Sequence, residues 1–133
     1  MLEAIDHVGI AVRDLDAAVE RYRTAFGVVP THRETVEHQG VEEVLFAVGG
    51  SYIQLLRALG PDTPVGRFQA RRGEGVHHVG YRVADVADTL RVLQQEGHPL
   101  VDQAGRPGSR GTTVAFVHPK AFDGVLIELV QEP

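Results

Sequence analysis

The chain has no cysteine among its 133 residues, which excludes disulfides, thiolate metal sites and cysteine nucleophiles. It is also short of positive charge. Thirteen Lys and Arg stand against eighteen Asp and Glu, and the resulting net charge of −5 argues against a nucleic-acid surface. The one dense basic cluster, Arg67 to Arg72, is too short to change that. No apolar run is long enough to span a membrane. Met1-Leu2-Glu3-Ala4 leads straight into a strand and not into a signal peptide, so a soluble cytoplasmic protein is expected. What remains is 43% hydrophobic and 23% charged, an ordinary globular composition with enough chain for a sizeable core.

The chain repeats itself, and this organises everything else. Shifted by 71 positions, His7, Val8, Gly9, Val12 and Asp14 fall on His78, Val79, Gly80, Val83 and Asp85. The same shift carries Leu15, Val19 and Tyr22 onto Val86, Leu90 and Leu93, apolar positions at spacings of four and three that mark one stripe of a helix. Self-similarity of this length points to two similar halves joined in one chain.

Residues 4–12 alternate as a strand, with Val8, Ile10 and Val12 on a bulky apolar face and His7, Gly9 and Ala11 on the other. Asp14 is an N-cap for a helix from Leu15 to Phe26 that ends at Gly27. A short strand within Pro30 to Glu37 and a stronger one from Val41 to Val48 follow, and Gly49-Gly50 turns the chain into Ser51 to Leu56. Gly60-Pro61-Asp62-Thr63-Pro64 punctuates the centre, and Thr63 before Pro64 suits the start of a short helix through Arg72. The second half predicts strands at 76–83, near 99–102, at 112–118 and at 125–131, with a helix from about Val86 to Glu96 ended by Gly97. The expected fold is α+β: two tandem βαβββ modules in a single 1–133 domain, forming a curved mixed sheet or open barrel around a metal site. Module one covers about residues 4–57, a linker about 58–74, and module two about 75–131.

The repeat reaches the last strand of each half. Gln54 lies 47 residues after His7, and Glu128 lies 50 after His78, each polar in an otherwise apolar strand. Taken singly, each has an ordinary explanation as a hydrogen-bonded or solvated residue. Taken together, two His, one Gln and one Glu occupy equivalent places in two repeats, and Gly9 and Gly80 clear the same face. Such nitrogen and oxygen donors make a plausible metal shell. In the strand 41–48, Glu42 and Glu43 both interrupt apolar positions, one on each face, and alternation does not choose between them.

The repeated unit resembles the paired modules of the vicinal-oxygen-chelate superfamily. Within it, the chain resembles the methylmalonyl-CoA epimerase family over about residues 4–131. The match is carried by Ile5 to Val12, Gly40 to Glu43, Gln54 to Leu56 and Gly75 to Val79. It continues through Phe116-Val117-His118-Pro119-Lys120 and Gly124 to Leu129. The loop Asp102 to Arg106 departs from the family's habit of placing a proline there. By resemblance, His7, Gln54, His78 and Glu128 are metal ligands, Glu43 is a catalytic carboxylate and Glu128 is its suggested partner. The metal is a divalent ion, with Co2+ favoured over Mn2+, Ni2+ or Zn2+.

The resemblance implies epimerisation of (R)- and (S)-methylmalonyl-CoA. The C2 hydrogen lies between a thioester and a carboxylate, so its removal gives an enolate whose charge a Lewis acid would stabilise. Inversion needs proton removal on one face of C2 and return on the other. The expected partner is an acyl-CoA, with Lys120, Arg82 and the Arg67–Arg72 cluster as possible phosphate contacts, and a homodimer is expected. The alternatives are a glyoxalase I-like lyase, which carries Glu where Gln54 stands, and a non-catalytic small-molecule binder of the bleomycin-resistance type, which normally lacks the four ligands.

Overall fold

Asp14 and Asp85 each begin a helix in the same way, as their matched places in the repeat predict. In the computed structural model, which describes residues 1–133, the Asp14 carboxylate accepts the Ala17 amide at 3.0 Å and the Asp85 carboxylate accepts the Asp88 amide at 2.9 Å. Each bond satisfies an amide that a first helical turn leaves without a partner. The elements run β1 (Leu2–Ala11), α1 (Leu15–Phe26), β2 (His32–Val36), β3 (Val41–Val48), β4 (Ser51–Ala58), α2 (Pro64–Arg72), β5 (Gly75–Val83), α3 (Val86–Gln95), β6 (Arg106–Pro107), β7 (Thr113–Val117) and β8 (Ile127–Gln131). The βαβββ order therefore occurs twice, with α2 between, and the fold is α+β. No helix is long and apolar enough to cross a membrane.

The chain packs as two compact units, an N-terminal one of residues 7–77 and a C-terminal one of residues 1–6 with 78–133. The N-terminal unit has strand order β2-β3-β4-β1, with β1 parallel to β4 and the other neighbours antiparallel. Val12, Leu15, Ala18, Val44, Phe46 and Leu55 form its core under α1, with Ile10, Val19 and Tyr22 packed against them. On the opposite face Ala11, Val36, Val41 and Leu56 pack with Val65 and Phe68 of α2. Two glycines are set by geometry here. Gly49 takes φ +59° at the first position of the two-residue β3–β4 turn, where a side chain is strained. Gly66 lies so near the chain before α2 that a Cβ would meet the Gly60 carbonyl at 2.3 Å. Thr63 caps α2 by accepting the Gly66 amide at 3.0 Å, and its helix is the one expected after Pro64.

In the C-terminal unit the order is β5-β8-β7-β6, with the opening residues of β1 beside β5. Strands β5 and β8 are parallel and the remaining pairs antiparallel. Val83, Val86, Leu90, Ala115, Val117, Ile127 and Leu129 make the core under α3, joined by Leu93. The two helical stripes read from the repeat thus bury against equivalent strands.

The strand expected near 99–102 is reduced to one bridge, Leu100 to Val117, and a two-residue strand forms at Arg106–Pro107 instead. Pro99 has no amide to donate, Val101 and Asp102 both donate to the Phe116 carbonyl, and the Asp102 carboxylate takes the Phe116 amide at 2.8 Å. A side chain has replaced the backbone ladder at that point. The expected start of the last strand at Val125 moves to Ile127, because Asp123 and Gly124 take φ of +57° and +88° and Val125 donates back to Phe122.

One buried ion cluster had no local signal. Asp6 is fully buried, and its carboxylate receives Arg82 at 2.9 Å and Arg110 at 3.1 Å. Arg82 also meets Glu132 at 3.2 Å. Arg110 holds a left-handed φ of +57°, a strain that the pairing compensates. Replacing Asp6 by Asn keeps the shape but leaves both guanidinium groups facing a neutral amide. Urea unfolding of Asp6→Asn is expected to show a loss of about 3 kcal/mol, the low end for breaking a buried ion pair, because both arginines keep some exposure. A loss within about 0.5 kcal/mol, the range of surface substitutions, would contradict this account.

Candidate active site

Alternation in the N-terminal unit puts the predicted residues on the face away from α1. His7, Gly9 and Ala11 of β1 are level with Tyr52, Gln54 and Leu56 of β4, and Gly9 is the direct neighbour of Gln54. Across β4, Leu45 stands opposite Gln54 and Glu43 opposite Leu56, so Glu43 shares this face. His7 is 4% exposed, Gln54 5% and Glu43 not at all. The choice between Glu42 and Glu43, open in the sequence, is made by the register. Glu42 turns to the other face, where Arg33 donates to it at 3.0 Å and Arg57 at 3.1 Å, and these bonds hold its carboxyl below the usual range.

Gln54 and Glu43 are tied to each other. The Gln54 Nε2 donates to Glu43 Oε2 in a short hydrogen bond. A carboxylate only accepts, so the amide nitrogen must face it and the amide oxygen must turn away. That oxygen, Gln54 Oε1, is buried with no hydrogen-bond partner. A lone buried acceptor is costly, and a cation is one species that satisfies it.

The C-terminal unit repeats part of this arrangement. Gly80 is the direct neighbour of Glu128 in the β5–β8 pair, as Gly9 is of Gln54. His78 Nε2 stands 4.0 Å from Glu128 Oε1, and the two side chains are 3% and 4% exposed. That spacing is too long for a hydrogen bond. The His78 ring is fixed edge-on against Phe116 at 5.5 Å. Phe116 pairs with Glu128 as Leu45 pairs with Gln54, and two residues earlier the repeat offers Val114 where the first half has Glu43. Only one half therefore carries that carboxylate. His77 points away from His78 and meets Phe68 edge-on at 5.0 Å, and burial lowers its imidazole to about 4.

Among the phosphate-contact candidates, Lys120, Arg67, Arg71 and Arg72 are exposed, whereas Arg82 is already engaged by Asp6 and Glu132. Sequence reasoning passed over Asp6, although it precedes His7 directly, because its partner Arg110 lies 104 residues away.

Residues 6–116 match the Glyoxalase/Bleomycin resistance protein/Dioxygenase superfamily, and the chain belongs to the methylmalonyl-CoA epimerase branch of it. The ethylmalonyl-CoA/methylmalonyl-CoA epimerase of Cereibacter sphaeroides is 34% identical over 98% of this chain and 99% of its own length. A methylmalonyl-CoA epimerase solved in complex with methylmalonyl-CoA and NH4+ is 41% identical, with a TM-score of 0.96 over 99% of this chain and 96% of that one. The methylmalonyl-CoA epimerase of Mycobacterium tuberculosis is 38% identical, with a TM-score of 0.95 over 99% and 89%.

The two faces of β3 make a contrast that can be measured. Glu42 is an outward ion-pair residue, so Glu42→Gln is expected to leave activity unchanged and to cost at most about 1 kcal/mol near neutral pH. Its carboxyl is lowered in the fold, so that contribution is present above the ordinary carboxylate range and lost as the pH falls below it. Urea midpoints of the variant and the parent should therefore converge in acid. A variant that lost turnover would mean that the faces of β3 had been misassigned.

Proposed function

We propose that the chain is a divalent-metal-dependent epimerase that interconverts the (R) and (S) forms of methylmalonyl-CoA by moving the C2 proton. The observation that carries this reading is Glu43, a fully buried carboxylate held by Gln54 on the face that also bears His7. The substrate class rests on the near-full-length likeness to epimerases, one of them solved with methylmalonyl-CoA.

In this reading His7 and Gln54, with His78 and Glu128, hold the ion. Two imidazoles, a neutral amide oxygen and a carboxylate are donors of the kind that suit Co2+, Mn2+, Ni2+ or Zn2+. The unpartnered Gln54 Oε1 fits a ligand role, and so does the burial of all four side chains. Co2+ is the ion favoured by family resemblance. When bound, the ion supplies Lewis-acid stabilisation of the negative charge that builds on the substrate oxygens as C2 loses its proton.

The chain's own groups move the proton. Glu43 takes it from one face of C2, with its Oε2 steadied by the Gln54 amide. Return to the opposite face needs a second acid. The buried carboxylates are Asp6, Glu43 and Glu128, and Asp6 is committed to two arginines. Glu128, the other buried carboxylate, is the partner that family resemblance suggests. We infer a homodimer from the family, and a cytoplasmic location from the sequence composition.

The direct test is exchange at C2. Metal-loaded protein mixed with methylmalonyl-CoA in deuterated water should wash out the C2 proton while the epimers interconvert, and it should show no glyoxalase activity on the hemithioacetal of methylglyoxal and glutathione. Exchange no faster than in buffer would sink the assignment. Glu43→Gln should keep fold and metal while epimerisation falls by roughly 10²–10⁴, the usual loss for a general acid–base group. His78→Ala should instead lose most of its metal in an elemental assay, and Gln54→Ala less of it, because a neutral amide is the weakest ligand of the four. Full metal content in His78→Ala would remove His78 from the shell.

A further inference from the structure

The proton that Glu43 takes up has to leave again, and Glu43 is completely buried. Its neighbours on the same face of β3 are Val41 and Leu45, and its neighbour on β4 is Leu56, none of which carries a proton. Gln54 donates to it, but an amide is not protonated near neutral pH and cannot pass a proton on. Strand β2, at the edge of the N-terminal unit, flanks Glu43 on the side of β3 away from β4.

There the register places Glu34 directly opposite Glu43, on the same face. Two like charges set opposite each other across a strand pair destabilise it unless something is gained. Two residues along β2, and again on this face, His32 Nε2 lies 2.7 Å from Glu34 Oε1. One ligand atom each from His32, Glu34 and Glu43 lies within 4.8 Å of the others, a gap that one water spans with two hydrogen bonds. Glu43 differs from the other two in exposure. Glu43 is sealed, whereas the Glu34 and His32 side chains are 35% and 32% exposed.

We propose that Glu34 and His32 connect Glu43 to bulk solvent and carry away the proton that it removes from C2. The inference rests on the epimerase reading above. The C2–H bond breaks and its proton protonates the Glu43 carboxylate. Glu43 then gives a proton to Glu34, directly or through one water, and Glu34 gives one to His32 Nε2. The imidazolium releases a proton to water, and all three groups return to their starting state. Glu34 and His32 act through Glu43 and touch no substrate, so they are positioning residues and not catalytic ones.

Isotope partitioning tests this with the full chain loaded with Co2+. Each methylmalonyl-CoA epimer is incubated in deuterated water, and C2 deuterium in the recovered starting epimer is compared with the amount of opposite epimer formed. With the relay intact, Glu43 trades its proton for deuterium before returning it. In Glu34→Gln and in His32→Asn the proton is held longer and handed back. Washout per inversion should then fall several-fold for the epimer that Glu43 deprotonates and stay unchanged for the other. Added imidazole buffer should restore washout in Glu34→Gln and leave the parent unaffected.

A folding defect alone would lower both processes without changing their ratio. Should Glu34→Gln not fold, His32→Asn carries the same measurement. Parent-like ratios for both epimers in the variants would overturn the relay alone. A parent protein that shows no washout above buffer would overturn the epimerase reading, and the relay with it.

Discussion

Parallel pairing of β1 with β4, and of β5 with β8, is the constraint on which the candidate site depends. Side chains alternate between faces with a period of two, so a slip of one residue would send Gln54 or Glu128 toward the helix-covered core. The register is held because those faces are chemically unlike. Val12, Phe46 and Leu55 must lie under α1, and Val83, Ala115 and Leu129 under α3. Hydrophobic burial on the helix side thereby fixes which polar residues share the other side. Glycine at 9 and at 80 then leaves space beside the polar residue of the neighbouring strand.

Within that frame, Gln54 does two things with one side chain. Its nitrogen holds Glu43, and this obliges its oxygen to face elsewhere and leaves it without a hydrogen bond. Had Glu stood at this position, the two carboxylates would repel or share a proton. The neutral amide, a proposed metal ligand, lies in contact with the Glu43 carboxylate without that conflict. The repeat is broken in one place that matters, where Val114 replaces Glu43. The repeat supplies the frame, and a carboxylate in one half has no counterpart in the other.

The region around Asp6 has a different role. Strand β1 contributes residues 1–6 to one compact unit and residues from His7 onward to the other. The carboxylate immediately before His7 is clamped by Arg82 and Arg110 in full burial, where charge-assisted bonds are strong and a missing partner is costly. Glu132 shares the same arginines. This is packing by charge, and it takes Arg82 out of the set of cations facing solvent.

Much of this was determined by the sequence alone, because the signals are local and periodic. Alternation separated the two faces of β1, spacings of four and three found the stripes of α1 and α3, and Asp14, Asp85 and Thr63 marked helix starts through hydrogen bonds made within three residues. The repeat paired His7 with His78 and Gln54 with Glu128 for the same reason. What only the tertiary structure decided are relations between strands. Glu43 and not Glu42 lies with Gln54, Glu34 stands opposite Glu43, Arg110 reaches Asp6, and Asp102 displaces a ladder bond near Leu100. Each of these depends on which residue of one strand falls level with which residue of another. Strand pairing sets that level, and no feature of a single strand contains it.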